Sequence, residues 1–145
     1  MNNLIVRYVK VDRTKTPEQM LEATGRRQYT DADVVKAMPR GDGDEGEVFF
    51  FKLDLSSRGG HISNDDMEKE YELRGLKPAD PYKLSQVNVD DPAFADEHPN
   101  STHWKDTNGR WCFALFHQWD GRRRVRVYRG AYGWNAYWWF AGLRK

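Results

Sequence analysis

The side chains best equipped for chemistry gather late in the chain. His98, His103, Cys112 and His117 fall within twenty residues, and Asp91, Asp96 and Glu97 lie just ahead of them. Imidazole and carboxylate together form the donor set of a transition-metal site. His98 and His103 could share a metal through helical spacing only if no proline intervened, yet Pro99 does, and no HExxH or facial-triad pattern accompanies them. Histidines that anchor a loop are the expectation, with no metal and no cofactor. A small metal-dependent hydrolase using the His98/His103 loop is the least supported function. Cys112 alternates with Ala114 and Phe116, the pattern of a small hydrophobe in a strand rather than of a thiolate, which needs an electropositive and partly open setting. His103 on a neighbouring strand would approach Cys112 in one register only, and the sequence leaves that register open. His117 shares strand parity with Trp111, Phe113, Leu115 and Trp119, which predicts a hydrogen-bonded core histidine.

Residues 122–129, RRRVRVYR, carry a different chemistry. As a strand they send Arg122, Arg124, Arg126 and Tyr128 to one face and Arg123, Val125, Val127 and Arg129 to the other. Tyr132, Trp134 and Tyr137 follow, so guanidinium charge and aromatic rings coincide, as they do where single-stranded nucleic acid is bound. A solvated sheet face, or an edge strand guarded by arginines against aggregation, would show the same pattern. Neither an RNP-type signature nor a glycine-rich phosphate loop accompanies it. The candidate binding residues are Arg122, Arg124, Arg126, Tyr128, Arg129, Tyr132, Trp134 and Tyr137. The acidic, glycine-rich stretch 40–46 invites comparison with a calcium loop, but a strand begins where the closing bidentate Glu must stand, so a solvated turn is predicted.

Net charge is +1, but residues 61–109 hold eleven acids against five bases, and residues 110–145 hold eight bases against the single Asp120. All six tryptophans fall between positions 104 and 139. The plain explanation is an acidic helical layer attracted to a basic sheet within one domain. A length of 145 residues fits a single domain, 1–145, and 14% aromatic residues argue against disorder despite the 31% that are charged. One cysteine excludes an internal disulfide and a thiolate metal cage. The apolar run beginning at Leu4 is too short for a signal peptide or a membrane span, so a soluble, cytoplasmic protein without a membrane partner is expected.

Those residues must be held by elements that the punctuation predicts. A strand covers 4–11, and Thr16-Pro17-Glu18-Gln19 then starts a helix that stops at Gly25. Thr30-Asp31-Ala32-Asp33 opens a second short helix ended by Pro39. Residues 47–55 form a strand apolar on both faces, and Ser63 caps a third helix running to Gly75. Asp-Pro pairs at 80–81 and 91–92 begin short helices over 82–87 and 93–97. From Thr102 the chain turns to strands, at 102–105, 111–119, 125–129 and 137–143, with Asn108-Gly109 and Asp120-Gly121 as hairpin turns. The fold class is α+β: an antiparallel sheet of about four to six strands, its C-terminal part an aromatic meander, with several short helices. Trp111, Phe113 and Leu115 are expected to be mostly buried.

The stretch GLKPADPYKLSQVNVDDPAFADEHPNSTHWKD at residues 75–106, with Gly109-Arg110-Trp111-Cys112 and WWFAGLRK at 138–145, resembles a group of short uncharacterised bacterial proteins. That resemblance implies a self-contained cytoplasmic domain and supplies no activity, cofactor or site residue. From the residues themselves the first reading is a non-enzymatic binding module for a protein or other acidic partner. Its rings would act as rigid anchors and its arginines as polar complement. Single-stranded nucleic-acid binding through the same surface is the second reading.

Overall fold

The computed structural model describes residues 4–145. Its strands are β1 (Ile5–Lys10), β2 (Arg27–Thr30), β3 (Glu45–Phe51), β4 (Leu76–Pro78), β5 (Asn100–Lys105), β6 (Trp111–Trp119), β7 (Arg122–Arg129) and β8 (Trp139–Arg144). Between them lie the helices α1 (Pro17–Glu22), α2 (Ala32–Lys36), α3 (Asn64–Leu73), α4 (Pro81–Asp90) and α5 (Phe94–Glu97). The helix starts follow the predicted chemistry. Thr16 and Gln19 form a capping box, and Asp31, Ser63 and Asp80 each accept a backbone N–H of the first turn. Among the described residues no helix is long and apolar enough to cross a membrane.

All eight strands join one sheet in the order β1-β3-β8-β5-β6-β7-β2, with β4 also paired to β8. This corrects the expected strand count and topology. Two short strands, β2 and β4, escape notice in the sequence, and β2 runs parallel to β7. The C-terminal meander stops after three strands: β8 does not pair with β7 but crosses to the far side of β5, parallel to it, and fills the place beside β3. Residues 130–138 make that crossing, and the aromatic loop predicted there is the connection itself. The sheet is therefore mixed, though mostly antiparallel.

The two faces of the sheet differ in cover. One packs against α1, α2, α4 and α5 and buries Val48, Phe50, Cys112, Ala114, Phe116, Val125 and Val127. On the other, α3 and the crossing loop cover the β3-β8-β4 side, where Phe51, Met67, Tyr71, Trp134 and Phe140 form a second core, and reach as far as His103 on β5 and the flanks of Phe113 and Leu115 on β6. A single helix, about 10–12 Å across with its side chains, shields two or three strands spaced about 4.8 Å apart, so the opposite side of this face lacks a helical layer. Trp111, Phe113 and Leu115 point to that side and are half-buried, not mostly buried as expected. Their alternates on β6 go to the helix-covered face, which is why Cys112, Ala114 and Phe116 are the residues that disappear from solvent. The β6–β7 hairpin closes through Asp120 (φ 54°) and Gly121 (φ 74°). Two consecutive left-handed residues make the primed turn that matches strand twist, and Gly121 takes its φ without a Cβ penalty.

Candidate binding face

The open side of the sheet is built by β6, β7 and β2, and register sets its contents. Trp119 stands opposite Arg122, His117 opposite Arg124, Leu115 opposite Arg126 and Phe113 opposite Tyr128. On the outer edge Arg27 pairs with Arg124 and Tyr29 with Arg126. Tyr29 thus lies under two guanidinium groups, Arg124 at 5.2 Å and Arg126 at 5.3 Å from the ring centroid. Around the rim, Trp119 is 63% exposed, Tyr132 76% and Tyr137 50%. Tyr132 meets Phe113 edge-on, and Trp138 meets His117 edge-on.

Strand parity also divides the arginines by partner. Arg123, on the helix-covered side, binds Asp96 of α5 through two hydrogen bonds, at 3.2 and 2.8 Å. Arg129, of the same parity, binds Asp106 at 3.0 Å. Of these two pairs only Arg123–Asp96 joins a helix to the sheet, as the expected acidic helical layer would; Asp106 lies in the turn between β5 and β6. Arg122, Arg124 and Arg126 take no part in either pair, and among the described residues none of them has a carboxylate within ion-pair distance. Four cations, counting Arg27, therefore share one face without a counter-charge.

The titratable groups register that field. His117 has its pKa lowered below 6.5, first by burial and then by the charges of Arg126, Arg124 and Arg26. Tyr29 has its phenol pKa lowered, first by hydrogen bonding to Arg27, with the charges of Arg124, Arg27 and Arg122 acting in the same direction. The Tyr29 shift follows its guanidinium neighbours, whereas that of His117 owes more to burial than to charge. His117 is not the satisfied core histidine expected. Its Nε2 and the Nε of Arg124 are covered yet have no hydrogen-bond partner among the described residues.

The structure brings Arg122, Arg124, Arg126 and Tyr128 to this face, with Tyr132 and Tyr137 at its rim. It does not bring Arg129, which lies on the other side and is engaged by Asp106, nor Trp134, which is 6% exposed and donates its Nε1–H to Asn64 at 2.9 Å. A Trp in an exposed loop and a Trp plugging a second core look alike in sequence, because only the position of α3 separates them. Arg27 and Tyr29 on β2 were missed altogether, and His117 and Trp119, though their shared strand parity was read, were expected in a core rather than at this face. The arginine-tyrosine alternation of RQYT was the available signal for β2, overshadowed by the helix cap that follows it.

The histidine pair separates. His98 stacks on Phe94 at 4.9 Å on the helix-covered side. His103, five residues along an extended chain and so roughly 16 Å away, faces the opposite side. Among the described residues no three metal-capable side chains converge. His103 also turns away from Cys112, which is buried on the helix side with its thiol pKa raised, chiefly by burial. Instead His103 is 3% exposed and bonded at both nitrogens: Nδ1 to Asn64 Oδ1 and Nε2 to Glu68 Oε2, each at 2.6 Å. Asn64 Oδ1 also accepts from Trp134, so it is an acceptor and His103 Nδ1 carries a proton. The ring stacks on Trp111 at 4.4 Å and borders a cavity of about 500 Å³ at the junction of β4 and β5, which lie end to end along one edge of β8. Asp42, Asp65, Glu68 and Asp80 line the cavity together with Lys77 and Lys105, so acids outnumber bases there.

No protein-family model matches the chain, and neither a curated protein nor a solved structure matches it.

Proposed function

We propose that the protein is a non-enzymatic binding module that holds an acidic partner on the open face of β6, β7 and β2. One observation carries this reading: the arginines of β7 divide by parity, and only those on the helix-covered side are answered by acids of the same chain. The arginines on the helix-covered side meet acids of the same chain, whereas Arg122, Arg124 and Arg126 leave their charge open to solvent. Net charge is only +1, so attraction for a polyanion must come from a local field rather than from the molecule as a whole. The rings at the face supply contact area at low conformational cost.

Charge reversal tests this. The wild-type protein should be retained on a sulfated polysaccharide matrix at low salt, and Arg124→Glu/Arg126→Glu should not be. Lys10→Glu/Lys36→Glu changes net charge equally at exposed sites away from the face and should be retained like wild type after correction for net charge. Equal losses in the two double variants would remove the reading.

A further inference from the structure

We infer that the acidic partner of this face is a single-stranded nucleic acid, its phosphates along β7 and its bases against the flanking rings; the inference rests on the binding-face reading above. Three observations favour it over an acidic protein segment. First, Arg122, Arg124 and Arg126 lie in one row, alternate residues of a strand about 6.6 Å apart, a spacing commensurate with successive phosphates of an extended strand. Second, a ring or imidazole stands beside much of that row: Trp119 against Arg122 and His117 against Arg124 on β6, and Tyr29 against Arg126 on β2, with Phe113 against Tyr128 beyond. Alternating cation and π-face is the arrangement that accommodates a base after each phosphate, and it tolerates any sequence because every base has a π-face. An acidic peptide would use the arginines and leave the rings without a counterpart.

Third, the arginines are uncommitted. Arg124 and Arg126 rest on Tyr29, a contact that a stacked base can replace, and Arg124 Nε has no hydrogen-bond partner to lose. Guanidinium groups without bonds to break can turn to phosphate at small cost. The face is formed by strands and carries no helix to lie in a duplex groove among the described residues, and its rings suit splayed single-stranded bases.

The experiment compares three probes on the full chain: a twelve-nucleotide thymidine oligonucleotide, the same length of duplex, and a polyglutamate peptide. Three contacted phosphates predict a salt dependence of affinity with a log-log slope near −2, falling by about 0.7 when Arg124→Gln removes one contact. Trp119 is largely exposed, so Trp119→Ala leaves the fold intact; it should weaken the oligonucleotide about 5- to 150-fold and leave polyglutamate unchanged. Tighter binding of the duplex, or polyglutamate binding with Trp119→Ala silent on the oligonucleotide, overturns the inference while the binding face survives. Failure to bind any of the three at low salt overturns both.

Discussion

His117 and Arg124 face each other across the β6–β7 ladder, and neither the Nε2 of the one nor the Nε of the other meets a hydrogen-bond partner among the described residues. Buried polar groups without a partner cost free energy relative to a satisfied pair. His117 and Arg124 lie on the face that also carries Arg27, Arg122 and Arg126, none of which has an ion-pair partner among the described residues.

The shift of His117 predicts a pH response. Its pKa is lower in the folded than in the unfolded chain, so below about pH 6.5 the unfolded chain takes up a proton that the native protein does not. Stability is therefore unaffected above that pH and declines as pH falls through it toward the folded value. Urea denaturation at pH 8 and pH 5.5 should show the decline, and His117→Gln should reduce it.

Binding should move the same group the other way. An anion between Arg124 and Arg126 offsets two of the charges that depress His117, so its pKa rises on binding and affinity increases as pH is lowered. Titration of the His117 ring by NMR, with and without oligonucleotide, measures the change directly. An unchanged midpoint would place the ligand elsewhere.

The unpaired arginines should be dispensable for folding. Arg122→Gln and Arg126→Gln remove no ion pair and should alter stability by no more than about 0.5 kcal/mol. Thermal melts alongside the binding assay separate these roles, because residues kept for structure would lose both together.

Asn64 is the opposite case. Its Oδ1 accepts from both Trp134 and His103 inside the second core, so Asn64→Ala strands two buried N–H donors and should cost about 2–4 kcal/mol, whereas Asn64→Asp keeps an acceptor in place. Phe116→Ala on the helix-covered face should cost about 3–5 kcal/mol, and Phe113→Ala, half-buried on the open side, should cost less.

Much of the architecture was legible in local signals. Thr16, Asp31, Ser63 and Asp80 announced four helices, Asp120-Gly121 announced the central hairpin, and the alternation RRRVRVYR gave the parity that separates paired from unpaired arginines. Pairing partners were not legible. Residues 137–143 read as the next strand of a meander, but nothing within them says that the strand pairs beside β3 and β5, since that choice depends on Phe140 finding Phe51 and Tyr71 across the fold. The same long-range packing decides that Trp134 is buried and Trp119 is not. Arg129 belonged to the face by sequence proximity and left it by parity, which the strand pattern already contained.

Chemical-shift mapping of the isotope-labelled protein against the thymidine oligonucleotide tests the account most directly, since it reports where a ligand sits without altering a residue. Perturbations confined to β2, β6 and β7, largest for Tyr29, His117, Arg124 and the Trp119 indole, are the predicted result. Perturbations centred on α1 and α4 or on the His103 cavity, or none at low salt, would contradict it.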